Sequence, residues 1–417
     1  MSPFHFCVRF PRTAAAALAL GCAPAAWALG YAEALDLARR EAPMLRAGEA
    51  TLAGAEAARP AAATLPDPQL SAGVENLPIA GADRYSPTRD FMTMQRLALM
   101  QEVPNRAKRE ARAQAADARV DRERATLAVA AAAVRRETAL AWWGAWFAER
   151  RADLLAGLQR QNDLLQQTLP ARVAAGGAMP AELSMARQEA LALADRRDDL
   201  RRDVAKARAE LRRWVGARAD EPLAAVDRVD DLVPPVDPAA AREALHRHAE
   251  LAPYEPMRAM AAAEMAEAEA EKRGDWSWEV AYQRRPRYDD MVSFQVSIDL
   301  PWQRGARQGP AAEAKRREVQ RIEAERDDAM RRHAAELEAM LAEQAAVDAQ
   351  LARLQGPGLA LADERVTLQR AAYESGRGDL GALLAARAMA FEQRLRVVEL
   401  QSQQAALRVR LATLTAE

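Results

Sequence analysis

One short stretch constrains this chain more than any other. Between Met291 and Trp302, Val292, Phe294, Val296, Ile298 and Leu300 alternate with Ser293, Gln295, Ser297 and Asp299. A period of two marks a strand with one apolar and one polar face. Nearly everything around it reads as helix. An alternating run of about ten residues among long helices has the length of a tilted strand crossing a bilayer. Side-chain order then sets its orientation, because charges facing lipid at the midplane cost about 2–4 kcal/mol for basic residues and less for acids. The row Ser293, Gln295, Ser297 and Asp299 is therefore expected to line water, with the apolar row on lipid.

The rest of the composition agrees with helices. Of 417 residues, 50% are hydrophobic and 29% charged but only 5% aromatic, with Ala, Arg, Glu and Leu dominant, the profile of long helices and coiled coil. A formal net charge of −1, with arginines interleaved among acids, gives no nucleic-acid signal. At the N-terminus, Arg9 and Arg12, the apolar run from Ala14 to Leu20, and Ala26-Trp27-Ala28 follow the order of a secretory signal, with cleavage expected after Ala28. The competing reading is a lipoprotein box, Leu18-Ala19-Leu20-Gly21-Cys22, with Cys22 lipidated, although Ala19 stands where a larger aliphatic is usual. The two cysteines are Cys7 and Cys22, so cleavage after Ala28 leaves no thiol. No later run approaches the roughly 18 apolar residues of a spanning helix. Any membrane crossing must be made by strands.

In chain order, Tyr31 to Ala58 has helical spacing, broken near Pro43 and ended by Pro60, Pro66 and Pro68. Gln69 to Leu77 and Phe91 to Val103 are strand candidates joined by a turn-rich connection. Asn105 to Leu169 contains no proline and makes a helix on the order of 95 Å at the usual rise. Pro170 to Pro180, containing Ala175-Gly176-Gly177-Ala178, breaks it, and Ala181 to Val215 returns as the second arm of a hairpin with its tip at the glycines. Gly216 to Pro238 is a proline-rich linker.

The second half then repeats the first. Glu33-Ala34-Leu35 recurs as Glu243-Ala244-Leu245, and Ala42-Pro43 as Ala252-Pro253, both offset by 210 residues. The tip at Gly176 returns at Gly376, offset by 200, with Leu383, Ala386 and Arg387 where Leu183, Ala186 and Arg187 stood. Asp275 to Arg285 is the third strand and Met291 to Leu300 the fourth. Pro310 to Leu354 and Leu359 to Tyr373, interrupted at Gly356-Pro357-Gly358, form one arm of the second hairpin, and Asp379 to Thr415 the other. The expected organisation is a signal at residues 1–28, a first repeat at 29–237 and a second at 238–417, each a helix, two strands and a helical hairpin.

Four strands cannot close a barrel, and an open edge in hydrocarbon leaves backbone groups unpaired at several kcal/mol each. Three copies supply twelve strands. The expected fold is mainly α with a transmembrane β part: a trimeric 12-stranded β-barrel continuous with a second, α-helical coiled-coil tube below the membrane.

Gln101-Glu102-Val103-Pro104 followed by Lys108-Arg109, the Ile298-Asp299-Leu300-Pro301 ending, and Tyr373-Glu374-Ser375-Gly376 with Leu383-Leu384-Ala385-Ala386-Arg387 resemble the TolC-like outer-membrane efflux factors. The resemblance covers essentially the whole mature chain, and its first motif is most similar to the heavy-metal branch serving resistance-nodulation-division pumps. It implies a homotrimer with a 12-stranded outer-membrane β-barrel, in contact with the lipid of the bacterial outer membrane, continuous with a long periplasmic α-helical coiled-coil barrel. The hairpin tips, Ala175, Gly176, Gly177, Ser375, Gly376 and Gly378, would dock to a periplasmic membrane-fusion adaptor and an inner-membrane pump. The implied function is a passive gated conduit without catalysis or cofactor, exporting heavy-metal cations or drugs. A gate sits where the hairpins converge, and acidic rings there attract cations. In the family, acids often follow the second tip; here Ala382 and Ala385 occupy those places, leaving Glu182, Glu374 and Asp379 as gate candidates.

Each feature also has a plainer reading. Glycine costs about 1 kcal/mol inside a helix and belongs at breaks, so the tip glycines are turn formers in any case. Residues such as Glu182, Glu374 and Asp379 are more often simply solvated or dipole-favoured near a helix start than gate residues. Met92, Met94 and Met100 are flexible apolar filler before they are soft-metal ligands. His246 and His248, two apart on a predicted helix, point to different faces, so no metal site is assigned. Trp276, Trp278, Tyr282 and Tyr288 suit an interfacial girdle; Trp142, Trp143 and Trp146 suit packing between helices. Two other functions compete. A periplasmic adaptor should show one hairpin flanked by β-rich domains, and a structural coiled-coil scaffold needs no strands of lipid length.

Overall fold

A computed structural model describes residues 28–415. The segment before Ala28, with Cys7 and Cys22, lies outside the described residues. Prolines and caps set the first boundaries. Helices α1 (Tyr31–Glu41) and α2 (Pro43–Ala63) part at Ala42, with Pro43 at the first helical position of α2, where its missing N–H has no helical partner to lose. Helix α2 continues through Pro60 instead of ending there. That proline falls in the last turn, so little of the hydrogen-bond ladder is lost.

Strands β1 (Gln69–Glu75) and β2 (Met94–Val103) follow. Strand β2 starts at Met94 rather than Phe91, because the preceding residues belong to the turn, where the Thr93 hydroxyl donates to the Asn76 carbonyl at 2.9 Å. Helix α3 (Arg106–Ala174) runs for 69 residues, about 100 Å. Asn105 caps it, its side-chain oxygen accepting from the Lys108 N–H at 2.9 Å. Contrary to expectation, Pro170 does not break α3; the buried Leu169 packs against the neighbouring tip and holds the last turn in place. Helix α4 (Pro180–Val215) returns along α3.

The stretch after Gly216 carries short 3₁₀ turns and a parallel bridge from Leu223 to Leu29. Helices α5 (Pro238–Ala244) and α6 (Tyr254–Ala270), strands β3 (Trp276–Arg284) and β4 (Met291–Ile298), and helices α7 (Gly309–Arg353), α8 (Leu359–Glu374) and α9 (Leu380–Thr415) complete the chain. Gly356-Pro357-Gly358 widens the helix without breaking it. A π-turn, Leu354–Gly358, joins α7 to α8 and gives the proline ring room against the preceding turn. The order helix, strand pair, helical hairpin thus occurs twice.

Helix α3 is the hub, packing on α2, α4, α6 and α9. Its middle supplies the largest core: Trp142, Trp143 and Phe147 are buried with Leu29, Leu211 and Val215. Trp142 and Trp143 meet edge to face at 5.1 Å, a geometry worth about 0.5–1.5 kcal/mol beyond burial. The indole N–H of Trp142 donates to the Leu29 carbonyl at 3.2 Å. The tryptophans of the long helix are therefore packing residues. The four strands form one antiparallel sheet in the order β1-β2-β3-β4.

Candidate functional site

Strand register decides what each face of the sheet presents. Leu70 pairs with Leu99, Leu99 with Val280, and Val280 with Phe294, so these four share a face. Ala72, Leu97, Tyr282 and Val292 form the next rung, and Val103, Trp276 and Ile298 lie on the same side. This face is apolar yet turned outward: Leu70 is 71% exposed, Val292 73% and Phe294 69%. Trp276 and Trp278 stand at one end of it, and Tyr282 at the other, near Tyr288 in the β3–β4 turn.

The opposite face carries Ser71, Arg96, Glu279, Gln283, Ser293, Gln295 and Ser297. Ala98 and Ala281 at its middle are buried. Arg96 bonds Glu279 and lies 3.3 Å from the Glu75 carboxylate, a charged ladder across three strands. Asp299 falls just beyond β4, where its N–H donates to the Asp275 carbonyl at 2.9 Å. Met94 and Met100 sit on the polar face six residues apart in β2, and Met92 lies before the strand.

A second constellation joins sheet to helices. Asp275 accepts from the Asn105 backbone N–H at 2.8 Å and from Lys108 Nζ at 3.0 Å. The Asn105 amide also donates to the Ala270 and Arg273 carbonyls, each at 3.1 Å. Burial pushes the Asp275 carboxyl up, but these donors outweigh it and hold the group below its usual range. A Cβ on Gly274 would fall 1.7 Å from the Asp299 carbonyl oxygen, so only glycine lets the β3 and β4 ends approach here. The sequence marked Asn105 as a helix start, Asp275 as a strand start and Lys108 within a motif, but not their meeting.

At the far end the two hairpin tips meet. Gly176 and Gly376 both adopt the left-handed backbone region, φ +73° and +74°, which turns each helix end. Ala175, Gly176, Gly177, Ser375 and Gly376 are exposed, and Gly378 is half-buried against Ala372. Beneath them Leu169, Ala186, Tyr373, Leu380 and Leu383 form a small core drawn from both hairpins. The Tyr373 hydroxyl donates to Glu182 Oε2 at 2.5 Å, while Glu182 Oε1 accepts from the Met179 N–H at 3.1 Å. The Arg172 guanidinium lies 4.5 Å from the centre of the Tyr373 ring. Burial first, and the Glu182 carboxylate second, push the Tyr373 hydroxyl up to about 12. Asp379 is exposed and caps α9 by accepting from the Ala382 N–H at 2.9 Å; Glu374 is exposed. The structure therefore brings Glu182 into a contact between hairpins that sequence spacing did not reveal.

His246 and His248 are not on an α-helix. They fall in and between two 3₁₀ turns, Leu245–Arg247 and Ala249–Leu251, so the argument from helix faces does not apply to them.

No family model matches the sequence, and no curated protein matches it. Solved structures do. CusC, known from structures describing its folding and transmembrane channel formation, superposes with a TM-score of 0.80 at 15% identity over 92% of this chain and 91% of its own. VceC, an outer-membrane protein of Vibrio cholerae, gives 0.76 at 17% identity over 92% and 96%. The MtrE outer-membrane channel of Neisseria gonorrhoeae, solved in its open state, gives 0.75 at 16% over 92% and 88%. These superpositions cover nearly the whole chain at TM-scores of 0.75–0.80, and the chain has the fold of the TolC-like outer-membrane efflux channels.

Proposed function

We propose that this chain is the outer-membrane channel of a tripartite efflux system, a passive gated conduit that performs no catalysis. The observation that carries the reading is the sheet. Its apolar face is outward, its polar face carries a paired charge ladder, and its outer strands β1 and β4 each have one neighbour. An apolar sheet face of this extent needs lipid or a partner. Open strand edges in lipid need other strands. Three subunits then give twelve strands, with Ser293, Gln295, Ser297 and Asp299 toward the lumen and the α3–α4 and α7–α9 hairpins forming a periplasmic tube below.

In this reading the exposed turns at Ala175, Gly176, Gly177, Ser375, Gly376 and Gly378 meet a periplasmic adaptor, which connects to an inner-membrane resistance-nodulation-division pump. Glu374 and Asp379 supply negative charge near the closed end, and Glu182 acts with them when the tips separate. The substrate class is that of the heavy-metal branch, cations carried through without a binding site of their own. Two hairpins, each preceded by a strand pair, speak against the adaptor reading, and lipid-length strands speak against a scaffold. Likeness to the MtrE and VceC outer-membrane proteins supports the localisation.

The experiment is the mass of the protein extracted in detergent from outer membranes, by light scattering corrected for bound detergent, followed by conductance in planar bilayers. A trimer that conducts, and whose cation selectivity falls in E374Q and D379N, is expected. A monomer recovered in the soluble periplasm would overturn the proposal.

A further inference from the structure

Two of the four histidines, 85 positions apart from 248 to 333, meet where the turns before α6 pack on α7. His248 and His333 are 4% and 6% exposed, with ring centres 4.5 Å apart. His333 Nε2 lies 3.4 Å from Glu250 Oε2. One ligand atom from each of His248, Glu250 and His333 falls within 4.8 Å of the others, the one such group among the described residues. The Nδ1 atoms of both rings are buried without a hydrogen-bond partner in the protein, although His333 Nδ1 is 3.4 Å from Glu336 Oε2. Buried polar atoms are rarely left so.

We propose that His248, Glu250 and His333 form a binding site for a borderline divalent cation of the zinc type, with water as the fourth ligand. The donor set decides the class. Two imidazoles and one carboxylate suit zinc, cobalt or nickel, whereas calcium and magnesium require oxygen ligands. Ligands about 2.1 Å from a tetrahedral ion stand roughly 3.4 Å apart. The His333–Glu250 pair already has that spacing, and small side-chain rotations bring in His248. Glu250 can ligate through Oε2 while its Oε1 keeps Arg136, 3.8 Å away. Glu336 is placed to accept from His333 Nδ1, orienting the ring as carboxylates do around zinc. The Glu250 side chain is about half exposed and opens the site to solvent.

The ion would be a structural one. It would staple the 248–250 turn to α7, whether or not the chain conducts anything. The test uses tag-free full-length protein in detergent, stripped with chelator and titrated with Co²⁺, then competed with Zn²⁺. Expected are ligand-field absorption bands saturating at about one ion per chain, their loss in H248A and in H333A, and their retention in H246A. Added Zn²⁺ should raise the unfolding temperature of the wild type but not of H248A. If H333A fails to fold, the wild-type spectrum and H248A decide. No bands in the wild type, or bands unchanged in H248A, would overturn the site.

Discussion

Tyr373→Phe removes one hydroxyl and nothing else from the contact between hairpin tips. The ring keeps its burial and its stacking under Arg172, so what is lost is the 2.5 Å donation to Glu182. A hydrogen bond to a charged group is worth about 1.5–3 kcal/mol. Glu182 is only half-buried and keeps the Met179 N–H, so water can replace the hydroxyl and the lower end, about 1.5 kcal/mol, applies. At 1.4 kcal/mol per factor of ten, local opening of the tips should become about tenfold more frequent. Hydrogen exchange of the Gly177 and Gly378 amides, which donate to the Arg172 and Ala372 carbonyls at 2.8 and 3.0 Å, reads that opening directly. Combined with E182A, the effect should be less than additive, because either change removes the same bond. Additive losses, or unchanged exchange in Y373F, would refute the lock. The contact also has a pH signature. A hydroxyl raised from 10 to about 12 on folding contributes stability that is complete below the ordinary tyrosine range and lost as pH climbs from about 10 to 12. Tips of the wild type should loosen across that interval, and Y373F should lose this dependence.

Three further outcomes are expected. Gly274→Ala puts a methyl 1.7 Å from the Asp299 carbonyl, so the strand ends must separate by more than an ångström; a loss of about 3 kcal/mol should appear as a lowered unfolding temperature of the detergent-solubilised protein. Phe294→Arg places a cation on the outward apolar face at about 2–4 kcal/mol per chain and should prevent recovery of assembled protein from membranes, whereas Ser293→Arg on the other face should assemble and change conductance. The reverse outcome would invert the sheet. Asp275 has a depressed pKa, so its contribution is present above the ordinary carboxylate value of 3.8 and is lost as pH falls below it; Asp275→Asn should remove that acid sensitivity from a thermal melt while lowering stability at pH 7.

Much of the framework was legible because it is periodic. The alternation in β4 separates its faces without reference to any other strand, and the glycines at 176 and 376 mark turns by their own backbone freedom. Prolines were less informative than their reputation. Pro60 and Pro170 lie in final turns, where packing outweighs one lost hydrogen bond, and Pro357 is absorbed by a widened turn. The contacts most specific to this molecule left no local trace. Asn105 meets Asp275 and Glu182 meets Tyr373 only because the two halves of the chain lie against one another, and His248 meets His333 only because the turns before α6 pack on α7 within the second half. Tyr373 stood in a family motif and Glu182 among the gate candidates, but their pairing was not visible, since nothing in the spacing of one hairpin reports on the other.

The two one-sided strands, β1 and β4, have a genetic consequence. In the closed ring of three proposed above, every subunit lends an edge to both neighbours, so one chain with a spoiled edge opens the whole ring. If sound and spoiled chains are made in equal amounts and mix at random, only about one ring in eight is wholly sound. A substitution that blocks pairing along β1 or β4 while leaving the helices intact should therefore act dominantly, poisoning the product of a good copy. One that prevents folding altogether should be recessive, because its chains never reach a ring.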